Sequence, residues 1–469
     1  MNIVLVNPPP KKIVEVYDKP DYPHVGLGYL ASNLELNGFS PIVIDAKLEG
    51  ISFDETIEKV LSLSPAVLGV TAMTHEITYA HELVTHLKEK GCEATTLVGG
   101  VHVTAIPERT LEEFPSFDIG IIAEGEHAIV ELCDSIIRKE ANFKNVPGIV
   151  YRDNEKKVCL SSSRPFCREL DTLPFPAWHL FPVTKEYPIL TARGCPANCI
   201  FCAHSYGYAI RERSPSNILK EWKKTVTTYS PEKMRVLDES FAFNKERAIT
   251  FLNTIIESKL IVPWSGLTRV TAASQDLMYK MKESGCDTVG VGVETGDPDI
   301  LKKIGKGTTL EQAKLAVKYI NNANMRSFVY FILGQPNETM QTMWKTIKFA
   351  ASLKATNVVF GIMVPYPGTK VASMASKGEG GYKILSNNWE DYNKQIGNAV
   401  ELENLSRKTI ELFQLFGYLY FYLANGRIMD TLRFILKYKS QAIGYIQNFF
   451  KLRRSNKDVL KTKKTCQNA

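Results

Sequence analysis

The sequence predicts an α/β protein built in series: a doubly wound, Rossmann-like domain, a partial (β/α)6 barrel of the TIM type, and a helical C-terminal extension. Two observations predict it. Short apolar, β-branched runs alternate with helix-period segments twice along the chain, as right-handed βαβ units do, and a proline-rich stretch separates the two series. The expected boundaries are residues 1–145 for the first domain, 146–184 for a hairpin and linker, 185–375 for the barrel, and 376–469 for the C-terminal region with its basic tail.

In the first series the strand-like runs are Ile3 to Val6, Ile42 to Ile44, Val67 to Val70, Thr95 to Val98 and Ile119 to Ile122, with a helical pattern such as Ile77 to Lys90 between them. Runs this uniformly apolar read as a parallel sheet covered on both faces. Gly148 to Arg152 and Lys157 to Leu160 flank Asp153-Asn154-Glu155-Lys156 as a hairpin, and Leu170 to Ala177 supplies the prolines of a linker. The second series runs Tyr187 to Ala192, Met234 to Leu237, Trp264 to Val270, Thr288 to Val293, Ser327 to Leu333 and Asn357 to Val364. Helical patterns at Ser274 to Ser284, Leu310 to Asn321 and Thr339 to Leu353 separate the later ones. From about Glu401 the pattern is helical and aromatic, passing through Phe434-Ile435-Leu436 and Phe449-Phe450 into the tail.

With 44% hydrophobic and 23% charged residues the composition is that of a globular protein, and no apolar run reaches the roughly 18 residues of a membrane span. The opening MNIVLVNPPP is a strand and a proline turn without a signal-peptide pattern, so a cytoplasmic location is expected. Nine scattered cysteines are too few for a secreted disulfide framework in a chain of 469 residues. Of the formal charge of +7, most lies in Lys451 to Ala469, where seven Lys or Arg stand against one Asp. The body is nearly neutral and shows no nucleic-acid surface. The basic, partly apolar end can instead lie peripherally on an anionic membrane or hold a lipid-like substrate, or simply pack across the open side of the barrel.

The run Arg193-Gly194-Cys195-Pro196-Ala197-Asn198-Cys199-Ile200-Phe201-Cys202 spaces three cysteines C-x3-C-x2-C. Three thiolates on one loop hold three irons of a [4Fe-4S] cube and leave the fourth open to a ligand. A Cys3His zinc site completed by His204 is the alternative on ligand chemistry. The loop follows the first barrel strand, and barrel chemistry sits at the carboxyl ends of strands, which favours the cluster.

The cysteine spacing, Phe201 and the preceding Arg-Gly resemble the radical S-adenosylmethionine (SAM) superfamily. Asp238-Glu239-Ser240-Phe241, Arg269, Gly292-Val293-Glu294-Thr295-Gly296, Gly334-Gln335-Pro336-Asn337-Glu338-Thr339 and Pro365-Tyr366-Pro367-Gly368-Thr369 continue it at successive strand ends. The resemblance implies that Cys195, Cys199 and Cys202 ligate the cluster. By the same resemblance Glu239 and Glu294 contact the SAM amino group or ribose, Arg269 holds its carboxylate, and Gly334 and Pro365 let the adenine lie against backbone. Each of these residues has a plain alternative as a rim salt bridge, turn former or helix cap.

Asn7-Pro8-Pro9-Pro10, Val25-Gly26-Leu27-Gly28-Tyr29-Leu30, Gly99-Gly100-Val101-His102-Val103-Thr104 and Glu124-Gly125-Glu126 resemble the cobalamin-binding (B12) domain of B12-dependent radical SAM enzymes. All lie beyond strand ends, where doubly wound sheets bind ligands. The resemblance implies cobalamin contacts at Asn7, Gly26, Gly99, Gly100, His102, Thr104, Glu124 and Gly125. One departure stands out: the Asp-x-His-x-x-Gly motif of many cobalamin proteins is absent after the first strand. Asp45-Ala46-Lys47-Leu48-Glu49-Gly50 has Lys in place of His, so no protein ligand to cobalt is assigned, and His24, His75 and His102 are read as hydrogen-bonding groups.

Together the two resemblances imply three cofactors, a [4Fe-4S] cluster, SAM and cobalamin, and a reaction that begins with a deoxyadenosyl radical. The leading expectation is C-methylation of an unactivated carbon in a small-molecule or lipid-like substrate, with an electron donor such as flavodoxin or ferredoxin. Oxidative cyclisation or rearrangement with the same cofactors is the second reading, and a cobalamin- or metal-binding regulatory protein the third. The substrate is not written in the motifs.

Overall fold

The structure, a computed structural model, describes residues 2–11, 19–139, 143–395 and 397–436. The first sheet contains β1 (Asn2–Asn7), β2 (Pro41–Asp45), β3 (Pro65–Thr71), β4 (Thr95–Gly99), β5 (Ile119–Ile121), β6 (Ile149–Arg152) and β7 (Val158–Leu160), in the order β2-β1-β3-β4-β5-β6-β7. β1 to β5 are parallel, and β1 is apolar at every position from Ile3 to Val6 because both of its faces are covered. β6 and β7 are antiparallel and extend this sheet. The hairpin expected in the linker is thus the edge of the first domain: a hairpin alone is marginal, and pairing Gly120 with Val150 gives it a sheet to complete.

The helix Val25–Leu36 packs on one face and receives the linker, where Ala177 N–H donates to the Gly28 carbonyl at 3.0 Å. A Cβ on Gly28 would come within 2.6 Å of the Trp178 ring, so this glycine makes room for the linker indole. Through Trp178 and Phe181 the apolar core of this face runs on into the barrel. The opposite face forms a second core that closes over Val103, Phe114 and Phe117 with Trp389 and Tyr392 from far along the chain.

The barrel begins with β8 (Glu186–Ile189), followed by the short antiparallel pair β9 (Ala192–Arg193) and β10 (Arg211–Glu212). It continues with β11 (Lys233–Val236), β12 (Trp264–Thr268), β13 (Cys286–Glu294), β14 (Arg326–Leu333) and β15 (Asn357–Ile362). β8 and β11 to β15 form one parallel sheet, ordered β15-β14-β13-β12-β11-β8, an open six-stranded barrel.

The C-terminal region carries the expected helix after about residue 401, and a further element precedes it. Its first part is a β-hairpin, β16 (Tyr382–Ile384) with β17 (Val400–Leu402), enclosing a 3-10 turn at Trp389–Asp391. The helix Arg407–Ala424 follows and covers the outer edge of β15. Phe360 N–H donates to the Tyr418 hydroxyl at 3.1 Å, Gln414 donates to the Phe360 carbonyl at 2.7 Å, and Ile362 N–H donates to the Lys394 carbonyl at 3.0 Å. An edge strand whose backbone groups are taken this way cannot template another chain. Residues 428–436 are helical, while Phe449, Phe450 and the basic run from Lys451 lie outside the described residues. Among the described residues no helix is long and apolar enough to cross a membrane.

Candidate active site

The cysteine loop leaves β8 through Thr191 and Ala192, and Asp238 at the end of β11 fixes that exit. Its buried carboxylate accepts the Thr191 N–H at 2.6 Å, the Ala192 N–H at 3.2 Å and the Thr191 hydroxyl. Gly194 then turns the chain at φ +93°, and a Cβ there would stand 2.2 Å from the Ala209 carbonyl oxygen, so only glycine fits. Backbone bonds pin the loop on several sides: Cys195 N–H to the Gly207 carbonyl (3.2 Å), Ile200 N–H to Ile304 (3.1 Å), and Val371 N–H to Ile200 (3.0 Å). Cys195 and Cys199 are buried, Cys202 is exposed, and all three are free thiols.

Among the described residues no three His, Cys, Asp or Glu side chains are gathered to hold one metal ion. His204 instead stacks on Tyr208 with ring centroids 4.1 Å apart, its two nitrogens unpartnered. A cubane takes each thiolate on a different iron and so sets its ligands farther apart than a single ion does.

Two cationic groups face the Cys199 thiol. Burial pushes the Cys199 thiol up and Glu294 adds to that, while Lys306 and the hydrogen-bonding Arg269 pull the other way. Arg269 donates to the Lys306 carbonyl at 2.6 Å, and Lys306 Nζ lies 2.6 Å from Glu294 Oε1 in a buried pair. Glu294 sits at φ +73° beyond an irregularity in the β13–β14 register. A Cβ on Gly292 would come within 2.4 Å of the Glu294 carboxylate and 2.8 Å of Lys306 Nζ, so Gly292 makes space for the pair. Glu239 lies near Cys202 and accepts the Gly194 N–H.

At the end of β14 the Gly334 N–H donates to Glu338 at 2.6 Å and its carbonyl accepts the Tyr382 hydroxyl at 3.0 Å. Gln335 Oε1 and Glu338 Oε1 remain buried without partners. Pro365 follows at the end of the next strand, in a turn where Tyr366 N–H donates to the Val364 carbonyl at 2.9 Å. The cysteine loop and the five expected SAM positions thus stand at strand ends along one rim. Lys306, which follows Gly305 in a short turn, was not foreseen: nothing in its sequence surroundings separates it from a surface lysine.

The first domain sorts its expected residues differently. Gly100, at φ +113°, lies with its Cα so close to Ala72 that a Cβ would meet the Ala72 carbonyl oxygen at 2.5 Å, while a Cβ on Gly99 would meet nothing within 4 Å. Gly99 therefore faces open space at the carboxyl edge of β4, a surface a macrocycle can approach. The remaining six are otherwise occupied. Asn7 donates to Asp45 at 2.7 Å, and the space a Cβ on Gly26 would take is bounded by the His24 ring at 3.1 Å. The Thr104 hydroxyl donates to the Gly100 carbonyl (2.8 Å) and accepts the Ala123 N–H (2.9 Å), tying two loops together. Gly125 packs beside Ile121 and Leu30, and Glu124 is held by two arginines. His102 is 0% exposed, edge-on to Trp389 at 4.8 Å and to Phe114 at 6.2 Å, and both of its ring nitrogens are buried without a partner.

Fold and site define an enzyme that joins a cluster-bearing barrel to a cobalamin-binding sheet. The Radical SAM superfamily matches residues 189–350 and the B12 binding domain matches residues 12–133. An uncharacterized methyltransferase of Pyrococcus horikoshii is 32% identical over 432 residues, which cover 90% of this chain and 93% of that protein. The chain belongs to the cobalamin-dependent radical SAM enzymes, whose cofactors are a [4Fe-4S] cluster, SAM and cobalamin. The anaerobic magnesium-protoporphyrin IX monomethyl ester cyclase of Rubrivivax gelatinosus is 28% identical over 362 residues, 74% of this chain and 65% of the cyclase. Among solved structures, the radical SAM methyltransferase TsrM of Kitasatospora setae, with cobalamin and a [4Fe-4S] cluster bound, superposes with a TM-score of 0.70 at 17% identity, covering 90% of each chain.

Proposed function

We propose that this protein methylates an unactivated carbon of a small-molecule substrate. The observation that carries the reading is the joining, in one chain, of a three-cysteine loop faced by Arg269 and Lys306 to a sheet whose Gly99 edge is open. When bound, the cluster supplies the electron that cleaves SAM, and cobalamin supplies the methyl group. The chain's own residues do the rest. Cys195, Cys199 and Cys202 hold the cluster. Arg269 and the Glu294–Lys306 pair present a cation and a carboxylate, which a zwitterionic amino acid requires at its two ends. Glu239, close to Cys202, would contact the SAM amino group or ribose. Gly334 and Pro365 offer backbone to an adenine, and Gly99 and Gly100 do so for cobalamin. A low-potential donor such as flavodoxin or ferredoxin delivers the electron.

The relation to the cyclase favours a second reading, oxidative cyclisation without methyl transfer. One experiment separates them: the anaerobically reconstituted protein is incubated with SAM, cobalamin, reductant and cell extract, and its nucleoside products are measured. Methylation yields both 5'-deoxyadenosine and S-adenosylhomocysteine. SAM cleavage without S-adenosylhomocysteine supports the cyclase reading, and a protein that takes up zinc and no iron overturns both. Exposed Leu423, Ile428, Met429 and Leu436 near the end of the described chain support a lipid-like substrate or a membrane surface as the place of work. Flotation with anionic liposomes tests that extension, and absence from the floated fraction removes it.

A further inference from the structure

Four charged side chains meet where the first domain touches the cysteine loop. Glu124 comes from the loop after β5 and Glu126 from the start of the helix Glu126–Ile137; Arg193 stands two residues before Cys195 and pairs across β9 and β10 with Arg211. Arg193 reaches Glu124 at 2.9 Å and Glu126 at 2.7 Å, and Arg211 reaches both oxygens of Glu124 at 2.8 and 2.9 Å. The four side chains are only 3%, 7%, 8% and 8% exposed, with two charges of each sign. The surroundings complete the set: Arg211 also donates to the carbonyls of Cys167 and Tyr206, Cys167 N–H donates to Glu124, and Arg193 lies over the rings of Tyr29 and Tyr206 at 4.9 and 5.4 Å.

A buried ionic network is a weak way to stabilise an interface, because desolvating the charges offsets most of their attraction, and packed apolar residues would join two domains at least as firmly. What it supplies is direction. A guanidinium fork that engages two carboxylates has one good orientation, and shifting either domain leaves a charge unpaired in a dry place. Of the two ends joined here, one is the backbone leading into the cluster ligands. The other is the strand end next to Gly99, on the cobalamin side of the sheet. Tight apolar contacts alone would tolerate small slides between these two ends; the network does not.

We infer that Arg193, held by Glu124 and Glu126, is a positioning residue that fixes the separation between the cobalamin and the iron-sulfur cluster. The inference rests on the two-cofactor reading above and needs no knowledge of the substrate to test. In the holoenzyme with a reduced cluster and cob(II)alamin, both centres are paramagnetic, and their dipolar interaction broadens the cobalt resonance in proportion to the inverse cube of their distance. Electron paramagnetic resonance of the wild type is compared with Glu126→Gln, which removes one of the two carboxylates that hold Arg193 and leaves Glu124 shared between Arg193 and Arg211, and with Arg193→Lys, which keeps the charge and loses the fork.

Iron and cobalt contents are measured in each sample. Loss of the broadening in either variant, at wild-type cofactor content, supports the inference. Unchanged broadening in both overturns it. Failure of both variants to load cofactors that the wild type loads assigns the network to folding and overturns the positioning role. A fully loaded wild type without any broadening sinks the two-cofactor reading itself, a result distinct from the others.

Discussion

Replacing Gly194 by alanine tests the cysteine loop at its tightest point. The added methyl would stand 2.2 Å from the Ala209 oxygen, 3.1 Å from its carbonyl carbon and 3.3 Å from the Gly207 oxygen. A carbon–oxygen contact relaxes at roughly 3.3 Å, so the two segments must part by about 1 Å. That movement takes Gly207 out of reach of the Cys195 N–H, now bonded at 3.2 Å. Holding alanine at φ +93° costs about 1–3 kcal/mol, and the lost hydrogen bond about 1 kcal/mol more. With every 1.4 kcal/mol a factor of ten, the cluster-competent loop falls about thirtyfold to several hundredfold in population. Iron and sulfide per chain after anaerobic reconstitution, with the visible cluster absorbance, are therefore expected to collapse while cobalamin uptake persists. Gly307→Ala is the control: its φ is +67°, but an added Cβ meets nothing within 4 Å, so only a modest loss follows. Wild-type iron content in Gly194→Ala would refute the steric reasoning.

Four further outcomes follow from buried groups. Burial pushes the Glu338 carboxyl up to about 8 despite the two N–H groups it accepts. The unfolded chain therefore loses this proton before the folded one does, and stability falls as pH rises from about 4.5 to about 8; Glu338→Gln should flatten that part of the denaturation profile, and an unchanged slope counts against the assignment. The His102 ring is lowered to about 4 by burial, so its contribution is intact above about 6.5 and is lost as pH falls toward 4. His102→Phe should remove that acid-side loss and leave cobalamin affinity intact, and a large drop in affinity would return His102 to the ligand set. Lys306→Met strands the buried Glu294 carboxylate and should cost about 3–5 kcal/mol in chemical denaturation, with part of it recovered when Glu294→Gln is added. Trp389→Ala removes a buried indole that donates to Glu113 at 2.6 Å and should cost about 3–5 kcal/mol, read as a lower melting temperature.

The parallel strands were legible because each is a short apolar run buried on both faces, as in Val67 to Val70, and the cysteine loop because its spacing is chemistry in itself. The allegiance of β6 and β7 was not: alternation marks a hairpin but does not say which sheet receives it. β16 and β17 are three residues each, too short for periodicity to signal. Glu124 looked like a ligand contact because its partners lie 69 and 87 residues away, beyond any local pattern. The burial of His102 is hidden in the same way, since Trp389, which packs on it, comes from the last part of the chain. What sequence shows well is a residue's own chemistry; what it hides is the distant group that has already claimed it.

The bond from Trp389 to Glu113 spans 276 positions. Contacts of such range pay their loop-closure entropy before they return anything, so they form late. During synthesis the N-terminal sheet emerges first, and Val103 and Phe114 must wait, partly uncovered, until the ribosome has delivered the whole barrel. The segment around Trp389 thus acts as a closing seal on a finished assembly, and a chain truncated before it would leave an apolar face of the first domain bare to aggregation.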